Sequence, residues 1–375
     1  MAGIYLHIPF CRQACHYCNF HFSTSLKLKN EFVEALLKEI RLQKNYLPPE
    51  KVNTIYFGGG TPSLLSQEEL SAILHALHQQ FPVATDAEVT LEANPDDISE
   101  QKLQEWKQVG VNRLSIGVQS FFEEDLRWMN RAHTAQQAMD NLQLAIKYFP
   151  NMTIDLIYGG PTLPDDRWHQ NVQQAIALGI PHISCYALTV EPGTALDSLI
   201  NKHKKADVNT EDQARQFVLL MDWLQQAGYE HYEISNFALP GKRSRHNSSY
   251  WQGAAYLGLG PSAHSFNGKS RQWNIANNAL YIKSLKEDNV PFEIETLTDT
   301  QRLNEYIMTS LRTIEGLDIA WVVSRFGERE ANQLQRAGQP FIDSGKMRFY
   351  NNHLQLTKEG KLFADGIAAE LFFTA

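Results

Sequence analysis

Residues 4–18 read IYLHIPFCRQACHYC, and this stretch decides the fold. Its first part, Ile4–Ile8, is rich in β-branched and aromatic residues and predicts a strand. Cys11, Cys15 and Cys18 then follow on one loop. Three thiolates on one loop can hold three irons of a cubane 4Fe–4S cluster, which leaves the fourth iron free for a small chelating ligand. The stretch therefore predicts a strand that leads into an iron–sulfur site.

A zinc site is the alternative interpretation of the same cysteines. His7, His16 or His21 could supply a fourth ligand to a zinc ion. Zinc-binding cysteines usually come as paired knuckles, whereas three of the four cysteines in this chain crowd into a single group. The spacing therefore favours the iron–sulfur cluster.

Composition and charge limit the classes of partner. The chain has 375 residues, 43% hydrophobic and 20% charged, which is typical of a globular protein with a large and a smaller domain. A formal net charge of −8 makes nucleic acid an unfavourable partner. No run is long and apolar enough for a membrane span, and no secretion signal is recognisable. We expect a cytoplasmic protein, with peripheral membrane contact and a homodimer both left open.

Six short β-like runs alternate with amphipathic helices along the first two-thirds of the chain. Ser66 and Glu69 predict a capping box at the start of one of these helices. Each strand–helix–strand step is expected to be a right-handed crossover between parallel strands. The predicted fold class is therefore α/β, an incomplete (β/α)6 barrel of the TIM type, with its chemistry at the C-terminal ends of the strands. The predicted strands are Ile4–Ile8, Val52–Phe57, Glu88–Glu92, Arg113–Gly117, Thr153–Tyr158 and His182–Leu188.

Three regions are predicted along the chain. Residues 1–230 form the partial barrel, and residues 231–298 form an aromatic-rich connecting segment. Residues 299–375 form a small winged-helix-like C-terminal domain, in which Met347–Leu356 is a predicted strand.

The strand and the C-x3-C-x2-C motif that follows it resemble the HemN/HemW branch of the radical S-adenosylmethionine proteins. The resemblance covers nearly the whole chain. It implies that a reduced 4Fe–4S cluster binds S-adenosylmethionine and cleaves its sulfonium C–S bond to a 5′-deoxyadenosyl radical.

The same resemblance implies an S-adenosylmethionine site at the strand ends. Glycines at 58–60 let the backbone approach the methionine amino group, and the Glu92 carboxylate can accept hydrogen bonds from ribose hydroxyls. Arg131 is suited to forked pairing with the methionine carboxylate. The residues that match the family's site are Tyr5, Gly59, Gly60, Thr61, Glu92, Gln119, Arg131 and Asp155.

Two positions distinguish the two branches of this family. Phe20 stands where the HemN enzymes carry a fourth cysteine, and the first predicted strand starts almost at Met1, where they carry an N-terminal extension. Both features argue against porphyrinogen oxidation. One departure from the family lies at residues 159–161, which read Gly-Gly-Pro where relatives usually have Gly-Leu-Pro.

Residues 246–251 read HNSSYW and resemble the H-N-x-x-Y-W signature of the haem-binding HemW branch. The resemblance implies haem contact. His246 would be an axial ligand to the iron, and Tyr250 and Trp251 would form apolar walls against the macrocycle. Without the resemblance, a hydrogen-bonded histidine beside core aromatics would be the first interpretation.

Other groups near this motif are candidates for haem contact. Lys242, Arg243 and Arg245 could pair with the propionates. His264, in a glycine-rich turn, is a second choice as iron ligand. Cys185 remains open as a ligand, although its apolar surroundings favour a small buried hydrophobe.

The resemblance implies a binding protein rather than an enzyme: a haem chaperone that delivers haem to apo-haem proteins. The alternative is a radical enzyme of the oxygen-independent coproporphyrinogen III dehydrogenase type, which acts on a tetrapyrrole. The sequence leans towards the chaperone and leaves open whether S-adenosylmethionine is cleaved.

Overall fold

A computed structural model describes residues 2–374 as a twelve-stranded sheet, a smaller three-stranded sheet and the helices around them. The first six strands lie side by side in chain order and are all parallel. They confirm the predicted incomplete (β/α)6 barrel. The strands are β1 Ala2–Ile8, β2 Val52–Gly59, β3 Val83–Ala93, β4 Arg113–Gln119, β5 Met152–Tyr158, β6 His182–Ala187, β7 Glu230–Glu233, β8 Asn236–Ala238, β9 Ala255–Leu259, β10 His264–Phe266, β11 Ser270–Asn274, β12 Phe292–Thr296, β13 Leu317–Asp318, β14 Met347–Tyr350 and β15 His353–Leu356.

Helices connect the parallel strands and cover the sheet. The predicted capping box is confirmed: the Ser66 hydroxyl accepts from the backbone N–H of Glu69 at 3.2 Å, and the Glu69 carboxylate accepts from the N–H of Ser66 at 2.7 Å. The α-helices are α1 Lys29–Leu42, α2 Gln67–Gln80, α3 Glu100–Gln108, α4 Glu123–Trp128, α5 Ala135–Tyr148, α6 Asp165–Ala177, α7 Ala195–Asn201, α8 Thr210–Gln226, α9 Arg245–Trp251, α10 Asn278–Lys286, α11 Asp299–Leu311, α12 Ile319–Phe326, α13 Glu328–Asp343 and α14 Ala364–Glu370. Short 3-10 helices span Pro62–Leu64, Pro95–Asp97 and Gly360–Phe363.

The aromatic-rich segment after α8 extends the barrel sheet at both of its edges. The hairpin of β7 and β8 pairs antiparallel with β6, whereas β9 pairs parallel with β1 and carries β10, β11 and β12 beyond it. Helix α9 lies between these two groups of strands in the chain and contacts β1 and β2. The segment therefore carries the chain from one edge of the barrel to the other.

The C-terminal domain has the order expected of a winged helix: α11, β13, α12, α13 and the β14–β15 pair, with its own core. The prediction of a single strand over Met347–Leu356 is wrong in one respect, because this segment forms a hairpin of two strands, β14 and β15. Asn351 and Asn352 form its turn with φ of 46° and 65°. Asparagine tolerates this left-handed conformation, and two such residues in succession suit a tight two-residue turn.

Within residues 2–374, none of the helices combines the length and the apolar character that a membrane crossing requires.

Candidate cofactor site

The cysteine loop leaves the C-terminal end of β1 and is held closed by backbone hydrogen bonds. The N–H of Cys11 donates to the carbonyl of Ser23 at 3.0 Å, and the N–H of Ser23 donates to the carbonyl of Pro9 at 2.9 Å. Cys11, Cys15 and Cys18 are all free thiols and partly exposed. The loop thus presents three sulfurs at the strand end where barrel chemistry is expected.

The chemistry of these donors fits a cluster better than a single ion. Within the described part of the chain, no three His, Cys, Asp or Glu side chains converge to hold one metal ion. A cubane places each cysteine on a different iron, so its thiols need not meet at one point. Burial raises the pKa of Cys11 to about 11, partly offset by a hydrogen bond from Thr61. Without bound metal, this thiol would therefore remain protonated at neutral pH.

The glycine loop at the end of β2 packs directly against the cysteine loop. The N–H of Gly60 donates to the carbonyl of Ile8 at 2.9 Å, and a Cβ on Gly60 would lie 2.6 Å from the carbonyl oxygen of Phe10. Gly59 has φ of 106°, which a side chain would strain. Thr61 follows, and its buried hydroxyl accepts from the amide of Asn94 at 3.3 Å. Only glycine at position 60 lets the two loops meet.

Two half-buried carboxylates, one on β3 and one on β5, lie near this loop. Glu92 accepts hydrogen bonds from the Tyr56 hydroxyl at 2.8 Å and the N–H of Gly59 at 3.2 Å. Burial raises its pKa to about 7; the hydrogen bond from Tyr56 opposes this shift, and the charge of Asp155 adds to it. Burial likewise raises the pKa of Asp155 to about 6, against the hydrogen bond from Ser184. Both carboxylates are thus poised to change charge near neutral pH.

We expect the free energy of unfolding of the protein without S-adenosylmethionine to fall as the pH rises, because Glu92 then loses its proton. Its pKa is about 7 when folded, against the ordinary value of 4.5 expected when unfolded. The folded state therefore favours the protonated form, and this stabilisation is complete below pH 4.5 and lost as the pH rises through 7. We expect the loss to be at most about 3 kcal/mol. Denaturant unfolding at pH 5 and pH 7.5 should show a smaller pH dependence for Glu92→Gln than for the wild type.

A matched control is Glu34→Gln, which removes an exposed carboxylate on α1. It should keep the pH dependence of the wild type. Equal pH dependences for Glu92→Gln and the wild type would contradict the pKa assigned to Glu92.

Arg131 joins the cysteine loop to the strand ends. Its guanidinium donates to Asn94 Oδ1 and to the carbonyl of Gly117, both at 2.7 Å, and to Cys15 Sγ at 3.3 Å. Its Nε is buried without a hydrogen-bond partner, as is the Oε1 of Gln119 at the end of β4. Arg131, Asn94 and Thr61 line a small cleft beside Cys15. Buried polar atoms without partners are rare, so the cleft has the character of a ligand site.

Sequence reasoning missed two residues of this site. Asn94 bridges Thr61 and Arg131, and Tyr56 holds the Glu92 carboxylate. Asn94 stands two residues after Glu92, directly after β3. Since barrel chemistry lies at the C-terminal ends of the strands, this position alone could have marked Asn94 as a candidate site residue. Tyr56 lies within an apolar strand, and nothing in the local sequence distinguishes it from a core residue.

The structure places His246 towards the other end of the strands. Its ring is 1% exposed, with Nδ1 2.8 Å from the Thr54 hydroxyl and Nε2 2.9 Å from the Tyr250 hydroxyl. It stacks on Tyr56 with ring centroids 4.9 Å apart. Thr54 is about 17 Å from Gly59 along β2, at 3.3 Å per residue. Burial lowers the pKa of His246 to about 3, so the ring is neutral.

Three other predicted haem contacts, Trp251, Arg243 and Arg245, are also engaged within the protein. Trp251 is half-buried, with the Arg312 guanidinium 5.3 Å from its ring centroid. Arg243 pairs with Glu230 at 3.1 Å and Glu315 at 2.7 Å. Arg245 donates to the backbone carbonyl of Asp86 at 2.6 Å. The structure therefore brings together the residues predicted for the cluster and for S-adenosylmethionine. The HNSSYW segment meets this group at Tyr5, whose ring stacks with that of His246 at a centroid distance of 6.5 Å.

Comparisons with known proteins identify the family of the chain. Residues 5–175 match the Radical SAM superfamily, and residues 297–363 match the HemN C-terminal domain. The chain is similar to the heme chaperone HemW of Mycobacterium tuberculosis, with 34% identity over 98% of this chain and 94% of the relative. It is also similar to the heme chaperone HemW of Escherichia coli, with 32% identity over 99% and 97% of the two chains.

A solved structure shows the same fold over nearly the whole chain. Coproporphyrinogen III oxidase (HemN) from Escherichia coli, a radical SAM enzyme, matches with a TM-score of 0.85. The match covers 99% of this chain and 90% of that chain, at 23% sequence identity. The near full-length relatives, together with the cysteine loop at the end of β1, show that the chain belongs to the HemW family of the radical SAM superfamily.

Proposed function

We propose that this protein is a haem chaperone, which binds haem and delivers it to apo-haem proteins. The observation that carries the proposal is the near full-length match to relatives that bear this name. Phe20 adds support, because it stands where the enzymes of the HemN branch carry a fourth cysteine, and its ring is 66% exposed. We further propose a cytoplasmic protein that acts as a homodimer.

We also propose that Cys11, Cys15 and Cys18 hold a 4Fe–4S cluster next to a site for S-adenosylmethionine. The chemistry that this pair of cofactors supplies when bound is reductive cleavage of a sulfonium C–S bond. In the proposed site, Arg131 pairs with the aminocarboxylate. Glu92 accepts hydrogen bonds from the ribose hydroxyls in its ionised form. The remaining contacts proposed from the sequence are Tyr5, Gly59, Gly60, Thr61, Gln119 and Asp155.

Haem contact by His246, Tyr250 and Trp251 stays a prediction. In the structure, ligation of iron by either nitrogen of His246 would first have to break a hydrogen bond to Thr54 or Tyr250. Movement of α9 away from β2 would accomplish this. The prediction therefore implies a conformational change when haem binds.

The chaperone should bind haem and release it to an apo-haem protein without altering it. The measurement uses anaerobic protein with a rebuilt cluster, mixed with haem and then with an apo-peroxidase whose activity reports transfer. The same protein, given S-adenosylmethionine, reductant and coproporphyrinogen III, should form no protoporphyrinogen. Product formation would support the enzyme alternative and contradict the chaperone proposal, as would failure to bind haem.

A further inference from the structure

His264 differs from His246 in that its ring nitrogens are not occupied by hydrogen bonds within the described residues and can bind a metal. It is exposed at the start of β10, and neither ring nitrogen has a hydrogen-bond partner anywhere in residues 2–374. His246 is buried with both nitrogens engaged. An iron ligand must offer a nitrogen lone pair, so His264 can coordinate a metal without rearrangement of the fold.

The strand register places His264 on the inner face of the barrel. Gly3 and Tyr5 of β1 face inward, where Tyr5 stacks on Tyr56 and the site of a Gly3 Cβ lies 3.4 Å from the ring of His246. Gly3 is paired with Tyr256 of β9, and directly paired residues point to the same face of a sheet.

The same rule extends across the next two strands. Tyr256 pairs with Phe266, Phe266 with Arg271, and His264 with Trp273. The side chains of His264, Phe266, Arg271 and Trp273 therefore continue the inner face of the barrel. We call these four residues the β10–β11 face.

A glycine brings this face close to the cofactor site. A Cβ on Gly258 would lie 2.0 Å from the carbonyl oxygen of His264, so only glycine lets β10 approach β9 this closely. Gly258 is paired with Tyr5, two residues before His7. Gly260, at the start of the turn between β9 and β10, packs against His7 of β1, because a Cβ on Gly260 would lie 2.4 Å from the carbonyl oxygen of His7. This turn leads into His264, which therefore lies near the end of β1 from which the cysteine loop leaves.

The chemistry of the β10–β11 face suits a flat, largely apolar ligand that contains a metal. The Trp273 ring stacks with that of His264 at a centroid distance of 6.3 Å, and Phe266 is half-buried on the same face. Burial lowers the pKa of His264, and the charge of Arg271 adds to this effect. The imidazole is therefore neutral, which is the form that binds iron. Since an iron-bound imidazole stands perpendicular to the porphyrin, the Trp273 ring, at 29° to that of His264, would contact the macrocycle with its edge.

We propose that His264 is an axial ligand to haem iron, with the porphyrin lying against Trp273 and Phe266. The inference rests on the proposed haem-binding function and assigns it to a particular surface. This assignment competes with the prediction that His246 ligates the iron, and it leaves His246 a structural role, in which it stacks on Tyr56 and holds α9 against β2. Haem bound on the β10–β11 face would lie on the same inner face as Tyr5 and Glu92.

The test is titration of anaerobic, cluster-containing protein with haem, followed by the Soret band. His264→Ala should weaken haem binding by roughly tenfold or more. His264→Met should bind haem with a shifted Soret band, because a thioether replaces the imidazole. The control is His78→Ala, which removes another exposed histidine from α2 and should bind haem as the wild type does. Iron content and unfolding midpoint should be unchanged in all three variants.

The outcomes separate this inference from the proposed function. Wild-type affinity and spectrum in both His264 variants would overturn the inference while haem binding itself stands. An equal loss of affinity in His78→Ala would overturn it too, because haem would then bind to exposed histidines in general. Failure of the wild-type protein to bind haem would overturn the proposed function.

Discussion

Replacing Cys15 with alanine should remove nearly all cluster iron from the protein. The two remaining thiolates cannot hold three irons, and Arg131 loses the sulfur to which it donates at 3.3 Å. Iron and acid-labile sulfide per chain, measured on anaerobic protein after cluster reconstitution, should both fall to background. Electron paramagnetic resonance of the reduced sample should lose the cluster signal.

Cys185→Ser provides the matched control for this prediction. Cys185 is 1% exposed in β6, and burial raises the pKa of its thiol well above the ordinary value. It should therefore contribute nothing to the cluster, and iron content should equal that of the wild type. Full iron content in Cys15→Ala would contradict the assignment of the cluster loop. One zinc per chain in the wild type would instead support the zinc alternative.

The parallel strands were predictable because their signal is local. Buried parallel strands are short runs of β-branched and aromatic residues, and they could be recognised without knowledge of their neighbours. The boundaries were less accurate where polar residues continue a strand. β3 begins at Val83 rather than Glu88, because backbone pairing of Val83 with Val52 extends it through the exposed Asp86.

The strands of the aromatic-rich segment were not predicted, for a physical reason. β8 and β10 have three residues each, and β12 is exposed along its whole length. Such strands exist because the barrel edges at β1 and β6 offer unpaired backbone groups, which is a tertiary effect. Hydrophobic periodicity over three to five residues does not encode it.

The cofactor site was recognisable from motifs, but the surroundings of each residue were not. The sequence singled out His246, yet its partner Thr54 lies 192 positions away in the chain. Glu88, which accepts hydrogen bonds from the backbone N–H groups of Arg245 and His246 at 3.1 and 3.0 Å, is similarly distant. Whether a histidine is buried and hydrogen-bonded or exposed and free depends on such long-range contacts.

Because Glu88 makes these contacts, we expect Glu88→Ala to lower the free energy of unfolding by about 3–5 kcal/mol. Glu88 is 5% exposed and lies 3.9 Å from Arg113, which is 1% exposed. Truncation leaves the buried guanidinium of Arg113 without its carboxylate and leaves the N–H groups at the start of α9 without an acceptor. Denaturant unfolding of the cluster-containing protein, followed by far-UV circular dichroism, would measure the loss.

Two further variants identify which part of this contact matters. Glu88→Gln keeps a side-chain oxygen that can accept from the N–H of His246 but removes the charge opposite Arg113, so it should lie between the wild type and Glu88→Ala. Asp86→Ala breaks an ion pair with Arg245 in which the Asp86 side chain is 78% exposed. It should lower the free energy of unfolding by less than about 1 kcal/mol. Similar losses for Glu88→Ala and Asp86→Ala would contradict the role of Glu88 as the buried anchor of α9. A loss in Glu88→Gln as large as in Glu88→Ala would show that the charge opposite Arg113, rather than the hydrogen bonds to α9, provides the stability.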